Sequence, residues 1–199
     1  RDVPHRIIHT GQHRELADQI LKTFDITPDV TLDIMTDAQQ PLELLQRLLA
    51  ALPKFISPDN TSTLLVQGDT TSALAGALTA HHQHIRVAHL EAGLRSHDRT
   101  QPFPEETNRT LLSHIAEIHF APTSGARHNL LAENINSKSI HVTGNSVVDA
   151  LHFILQNSKT TVEELKEEYS LNYKKMILVT THRRENFGKP IKEIFNALN

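Results

Sequence analysis

The sequence predicts an α/β fold with a mostly parallel sheet covered by helices on both faces. Three observations lead there. Short apolar runs alternate with helix-length amphipathic stretches, the runs are continuous rather than alternating in polarity, and several of them empty into charged residues. Residues 6–10 read as a strand, followed by a helix over 15–24 with Leu16, Ile20 and Phe24 on one face. Residues 42–52 read as a helix, with leucines at 42, 45, 48, 49 and 52, then "SPDNTST" as a loop and 63–67 as a strand. An Ala-rich helix over 70–82 leads to a strand over 86–90 and a helix over 105–116. The rhythm continues with strand 118–121, helix 124–133, strand 139–143 and helix 147–156. A polar amphipathic helix over 162–169, a strand over 176–180 and a helix over 191–198 read as the opening of a further α/β unit.

Composition narrows the function classes. The 199 residues, 38% hydrophobic and 22% charged, suffice for one sizeable core and part of a second domain. A net charge of −3 offers no broad attraction to nucleic acid or an anionic membrane, so an anionic ligand must be held by local arginines. No run of eighteen apolar residues and no signal-peptide pattern occur, and cysteine is absent, which removes disulfides and thiolate chemistry. A cytoplasmic setting is the expectation. Fourteen histidines stand against two tyrosines and no tryptophan.

Three segments carry candidate chemistry. In "LLVQGDTTSALAG", Gly68 permits a tight turn after the strand, Thr70 or Thr71 can cap the next helix, and Asp69 is read either as that cap or as a carboxylate on the crevice rim. "VAHLEAGLR" brings Glu91 to the end of the next strand ahead of Gly93. Adjacent strands lie ~4.8 Å apart, so Asp69 and Glu91 can reach one ligand if these two strands are neighbours. In "PFPEETNR", Pro104 suits the first turn of a helix. Glu105 and Glu106 complement the positive end of its dipole, and Glu105 stands four before Arg109 as an ordinary helical ion pair. The same Glu105 can also swing over the crevice.

Basic and imidazole groups carry two readings each. "VTTHRREN" sets His182, Arg183 and Arg184 at a strand end facing a cleft, or simply on a solvated turn. "HHQH" at 81–84 lacks an ordered metal-binding spacing and reads as the exposed end of a helix. "GQHRE" at 11–15 places Gln12, His13 and Arg14 at a helix start, as an anion site or a polar cap.

Six segments in order, "TGQHRE", "VQGDTTSALA", "HLEAGLRS", "PFPEETNR", "HVTGNSVVDAL" and "THRRENFG", resemble the successive motifs of the non-hydrolysing UDP-N-acetylglucosamine 2-epimerases, over essentially the whole chain. The resemblance implies two Rossmann-like domains facing each other across a cleft, the GT-B-like architecture of many nucleotide-sugar enzymes, with the second domain incomplete here. It implies interconversion of UDP-N-acetylglucosamine and UDP-N-acetylmannosamine by elimination of UDP to 2-acetamidoglucal and its re-addition. Such a reaction needs a base and an acid on opposite faces of the sugar. By resemblance Asp69, Glu91 and Glu105 take those roles, with His182 among the catalytic groups and Arg109, Arg183 and Arg184 binding substrate. Gln12, His13 and Arg47 fall in segments that bind a second, activating UDP-N-acetylglucosamine in bacterial members, as do Glu105 and Arg183. No metal or redox cofactor is implied; a cell-envelope polysaccharide is the expected destination, and a homodimer the expected assembly of the full-length family.

The departures from the family shape the expectation too. The family's opening strand and Gly-Thr-Arg-Pro-Glu turn are absent, as is the C-terminal segment that grips the nucleotide. The expected organisation is therefore 1–158 for most of the first domain without its first strand, 159–174 for a linker and helix, and 175–199 for the start of the second domain. The chain alone is expected to be inactive, with a gap in its sheet that favours strand exchange between copies or aggregation. A glycosyltransferase fragment and a non-catalytic sugar-nucleotide-binding remnant are the alternative readings.

Overall fold

The structure, a computed structural model, describes residues 3–12, 14–34, 40–157, 162–169, 177, 179–180 and 188–198. The chain divides into two compact units, Arg1–Leu155 and Gln156–Asn199.

The first unit runs β1 (Ile8–His9), α1 (Arg14–Thr23), β2 (Val30–Thr31), α2 (Pro41–Ala51), β3 (Thr63–Gln67), α3 (Thr71–His82), β4 (Arg86–Leu90), α4 (Glu105–Ile115), β5 (Ile118–Ala121), α5 (Ser124–Ala132), β6 (Ile140–Val142) and α6 (Ser146–Asn157), the last crossing into the second unit. Strands β3, β4, β5 and β6 form a parallel sheet in sequence order, and β1 pairs parallel with β2 in a separate ribbon. The predicted parallel α/β fold is therefore present. β2 escaped the sequence reading, since two residues inside "DVTLD" carry no periodicity. The strand expected over 6–10 contracts to Ile8–His9.

Two cores sit against the sheet. The larger joins Leu44, Leu48 and Leu52 with Val66, Leu74, Val87 and Leu112. Of the leucines read into this helix, Leu48 and Leu52 are buried and Leu45 half-buried, whereas Leu42 and Leu49 are exposed; Leu44 completes the buried i, i+4 row 44, 48, 52. Helix α3 is buried on nearly every side because small residues let it approach closely: a Cβ at Gly76 would lie 3.4 Å from both Leu64 Cδ2 and Val66 Cγ1. The smaller core gathers Ala92, Ala121, Ala126, Leu130 and Ile140 between β4, β5, β6 and α5.

A cavity of about 890 Å3 opens between β1 and β3, lined by Ile7 and Ile8 on one side and Thr63, Leu64, Leu65 and Val66 on the other. Among the described residues, no strand pairing joins the two sheets across it. Its effect on burial is direct. The apolar β4, flanked on both sides, buries its three central residues, whereas Leu65 in the centre of β3 is 59% exposed.

In the second unit, α7 (Val162–Glu168) and α8 (Lys189–Leu198) are described. Ile191 and Ile194 form the half-buried side of α8, and Lys189 pairs with Glu193 one turn on at 3.5 Å. The strand expected over 176–180 lies largely outside the described residues, and those described within it, Ile177, Val179 and Thr180, are not in a strand.

Candidate active site

The full register of β3 against β4, from Thr63 opposite Arg86 to Gln67 opposite Leu90, makes both strands end together. Gly68 therefore follows one strand where Glu91 follows the other, and the Gly68 amide closes the ladder by donating to the Leu90 carbonyl at 3.0 Å. Gly68 turns with φ +70, in the left-handed region. A Cβ there would stand 3.8 Å from Glu91 Oε2, an ordinary van der Waals contact, so the carboxylate of Glu91 lies beside the turn and it is the positive φ that calls for glycine. Glu91 itself has φ +69, an uncommon conformation for a residue with a side chain and one that concentrates at functional turns.

Asp69 is not the helix cap. Thr70 takes that place, its hydroxyl accepting from the Ala73 amide at 3.2 Å. Asp69 is thus free for other work, and its carboxylate accepts from Arg109 Nη2 while Asn108 Nδ2 donates to its backbone carbonyl at 2.9 Å. One turn of α4 holds both the side chain and the backbone of Asp69. The routine Glu105–Arg109 pair read from the sequence is not the one made: Arg109 turns to Asp69 and, through Nη1 at 3.4 Å, to Glu106. Glu105 occupies the first position of α4, half-buried, where its charge complements the helix dipole.

The loop between β4 and α4 is pinned at three points. Gly93 has φ +87, and a Cβ there would meet the Ala126 carbonyl oxygen at 2.3 Å, so only glycine fits. Arg95 forks onto both oxygens of Glu133 at 2.7 Å and reaches Ser113 Oγ at 2.8 Å. Glu106, 3% exposed, accepts from the amides of Ser96 and His97, each at 3.0 Å. Burial alone would raise the pKa of Glu106, but those two amides, the Ser96 hydroxyl and Arg109 hold it below the usual carboxylate value. Arg95, through its hydrogen bonds and charge, likewise lowers Glu133 against the opposing effect of burial. The Gln101–Pro102 and Phe103–Pro104 peptides are both cis.

The structure brings Asp69, Glu91 and Arg109 to one sheet edge, with Glu105 on the helix that supplies Arg109. Gln12 is tied to α3, its Oε1 accepting from the Ser72 amide at 3.2 Å and hydroxyl at 2.6 Å, which satisfies one of the helix's first amides. Arg47 is exposed and donates to the Ile34 carbonyl at 3.3 Å. His13, His182, Arg183 and Arg184 lie outside the described residues. His81, His82 and His84 are exposed at the end of α3, and among the described residues no three His, Asp or Glu side chains gather as a metal site. No helix among them is long and apolar enough to cross a membrane. Sequence reasoning missed Asn108, Arg95 and His89, and read Glu106 only as a helix-dipole residue. A histidine inside an otherwise apolar buried strand was the available signal for His89.

Fold and site together define a Rossmann-like parallel α/β domain whose carboxyl edge presents carboxylates oriented by an arginine, the position where open α/β sheets bind ligands. The comparisons carry this further. A family model described as UDP-N-acetylglucosamine 2-epimerase matches residues 1–199. The UDP-N-acetylglucosamine 2-epimerase of Escherichia coli is 45% identical over 199 residues, covering 97% of this chain and 53% of the relative. That of Salmonella typhimurium is 48% identical over 198 residues, with the same coverage, 97% and 53%. Among solved structures, the UDP-GlcNAc 2-epimerase of Neisseria meningitidis bound to UDP-GlcNAc superimposes with a TM-score of 0.92 at 39% identity, over 100% of this chain and 54% of the other. The Methanocaldococcus jannaschii enzyme in complex with UDP-GlcNAc and UDP gives 0.86 at 35% identity, over 100% and 55%. The chain belongs to the UDP-N-acetylglucosamine 2-epimerase family and shares the GT-B-like fold of these enzymes over the matched part. It spans about half the length of the curated relatives it matches.

Proposed function

We propose that this chain supplies the acid–base half of a non-hydrolysing epimerase that interconverts UDP-N-acetylglucosamine and UDP-N-acetylmannosamine by eliminating UDP to 2-acetamidoglucal and adding it back. The observation that carries the reading is the meeting of Asp69 and Glu91 at adjacent strand ends, with Arg109 on Asp69. Removal of the weakly acidic C2 proton needs a carboxylate base, and its return to the other face needs an acid. Asp69, Glu91 and Glu105 fill these roles, Arg109 orients Asp69, and His182, Arg183 and Arg184 stabilise the departing UDP. Gln12, His13 and Arg47 contribute to an activator site, and the working enzyme is a cytoplasmic homodimer feeding cell-envelope polysaccharide. Family membership favours this reading over a glycosyltransferase.

The test is a hybrid in which residues 1–199 replace the matching segment of the Escherichia coli relative. Turnover in deuterium oxide should place deuterium at C2 of both sugars, and product without deuterium would rule out the elimination. The 199-residue chain alone is proposed to be inactive, supported by the span of about half its relatives and by the cavity between β1 and β3. The open edges there favour strand exchange between copies. Epimerisation by the purified chain as a monomer, checked by light scattering, would overturn this half of the proposal.

A further inference from the structure

We infer that His89 is a positioning residue that sets the Gly68–Asp69 turn against Glu91 from inside the sheet. His89 lies on β4 two residues before Glu91 and is 0% exposed. Its Nε2 lies 2.7 Å from the Gly68 carbonyl oxygen. A carbonyl can only accept, so Nε2 carries the proton and Nδ1 is the bare nitrogen. Among the described residues Nδ1 is buried with no partner, which leaves the ring one hydrogen bond, the one aimed at the turn.

That bond completes a set. The Gly68 amide is held by the Leu90 carbonyl, the Gly68 carbonyl by His89, and the Asp69 carbonyl by Asn108 Nδ2. Three successive peptide planes, those joining residues 67–68, 68–69 and 69–70, are thus held from β4 and α4, and the Asp69 carboxylate meets Arg109. Glycine at 68 has no side chain to resist rotation of its own plane, so the turn beside Glu91 is also the one most in need of an external tie. Burial, opposed by the Gly68 hydrogen bond and reinforced by the charges of His119 and Arg95, lowers the His89 pKa to about 4. The ring therefore stays neutral near pH 7, with its single proton on the nitrogen that faces Gly68.

The inference rests on the proposed reaction for its catalytic consequence, so two readouts are needed. In the hybrid enzyme, His89→Leu keeps an apolar side chain but removes the donor, and kcat should fall roughly ten- to a hundredfold, the scale of a small misplacement of reacting groups, with KM within about twofold. His89→Gln, which restores an amide donor, should recover part of kcat. An unchanged kcat in a folded His89→Leu hybrid would overturn the inference. If the hybrid with native His89 does not epimerise, the reaction is wrong, and the second readout decides alone. In the 199-residue chain, the guanidinium NMR signals of Arg109 and Arg95 report restricted rotation separately. His89→Leu should release Arg109 and leave Arg95 on Glu133 unchanged. Loss of both signals together would mean general destabilisation, and retention of both would mean that His89 does not hold the turn; either outcome overturns the inference.

Discussion

The guanidinium of Arg109, on the first turns of α4, donates to the carboxylate of Asp69 at the end of β3, forty residues earlier in the chain. Both side chains are mostly buried, 16% and 27% exposed, so the pair is screened less than a surface ion pair. Arg109 also pairs with Glu106 at 3.4 Å, so one cation is shared by a carboxylate on the site edge and a carboxylate beneath the loop. Arg109→Ala should therefore cost roughly 1–3 kcal/mol of stability, below the 3–5 of a fully buried pair because both groups retain some solvent. It should lower the hybrid's kcat by about a hundredfold or more. Arg109→Lys keeps the charge but not the fork. It should recover stability more than rate, a split that denaturant titration and initial rates together would reveal.

Two glycines separate a steric need from a purely conformational one. Gly93→Ala puts a Cβ 2.3 Å from the Ala126 carbonyl oxygen at φ +87, and neither can move without disturbing the smaller core. A loss of more than about 2 kcal/mol is expected, from strain and overlap together. Gly68→Ala, at φ +70, meets nothing closer than Glu91 Oε2 at 3.8 Å. Its cost should be nearer 1 kcal/mol, the conformational part alone, because 3.8 Å is an ordinary van der Waals contact that leaves Glu91 in place. Thermal melts of both variants should rank Gly93→Ala as the more damaging; the reverse order would remove the distinction.

Among the described residues, acid should destabilise this chain through the carboxylates Glu106 and Glu133, with the exposed Asp98 held low by Thr100, and through the buried histidines His89 and His119, both lowered first by burial. Glu106 and Glu133 are held below the ordinary carboxylate value in the folded state, so their stabilisation is complete above the unfolded pKa and is lost as pH falls through the folded one. His89 acts in the same direction in a higher window. With a folded pKa of about 4 against 6.5, the unfolded chain binds a proton between those values that the folded chain refuses. Each pH unit is worth ~1.4 kcal/mol, so full passage through the window removes about 3 kcal/mol. Urea unfolding at pH 7, 5.5 and 4.5 should show a fall that begins near pH 6.5. His89→Gln should reduce that upper part, leaving the share of His119, and keep the carboxylate part below it.

Much of the fold could be read from the sequence because local signals and tertiary demands agree. Strands 63–67, 86–90 and 118–121 end where the apolar runs end, and Thr70 and Thr123 cap the helices that follow. Asp69 and Glu91 were legible as strand-end carboxylates for the same reason. Glu106 was not, because adjacent glutamates at a helix start look alike until the loop folds back over one of them. The partner of Arg109 was also hidden, since helical spacing offers Glu105 and only the packing of α4 on β3 brings Asp69 into reach. His89 looks like a stray polar residue until the parallel register sets it beside the Gly68 turn.

The two neighbouring glutamates give the sharpest contrast. Glu106→Gln keeps the shape but halves the accepting capacity facing the Ser96 and His97 amides and leaves Arg109 with one carboxylate instead of two. A site 3% exposed cannot recruit bulk water to compensate, so about 2 kcal/mol of stability should go. The loop over residues 96–104 should then exchange its amide protons faster. Glu105→Gln removes a half-buried carboxylate whose structural contribution is its place at the helix dipole, worth ~0.3–1 kcal/mol. If Glu105 serves as acid or base, the hybrid should lose at least a hundredfold in kcat with the loop unchanged. Hydrogen exchange separates the outcomes. Loop loosening in Glu106→Gln without Glu105→Gln, together with a rate loss in Glu105→Gln, supports the division of labour; a near-normal rate for Glu105→Gln would return that residue to the helix dipole alone.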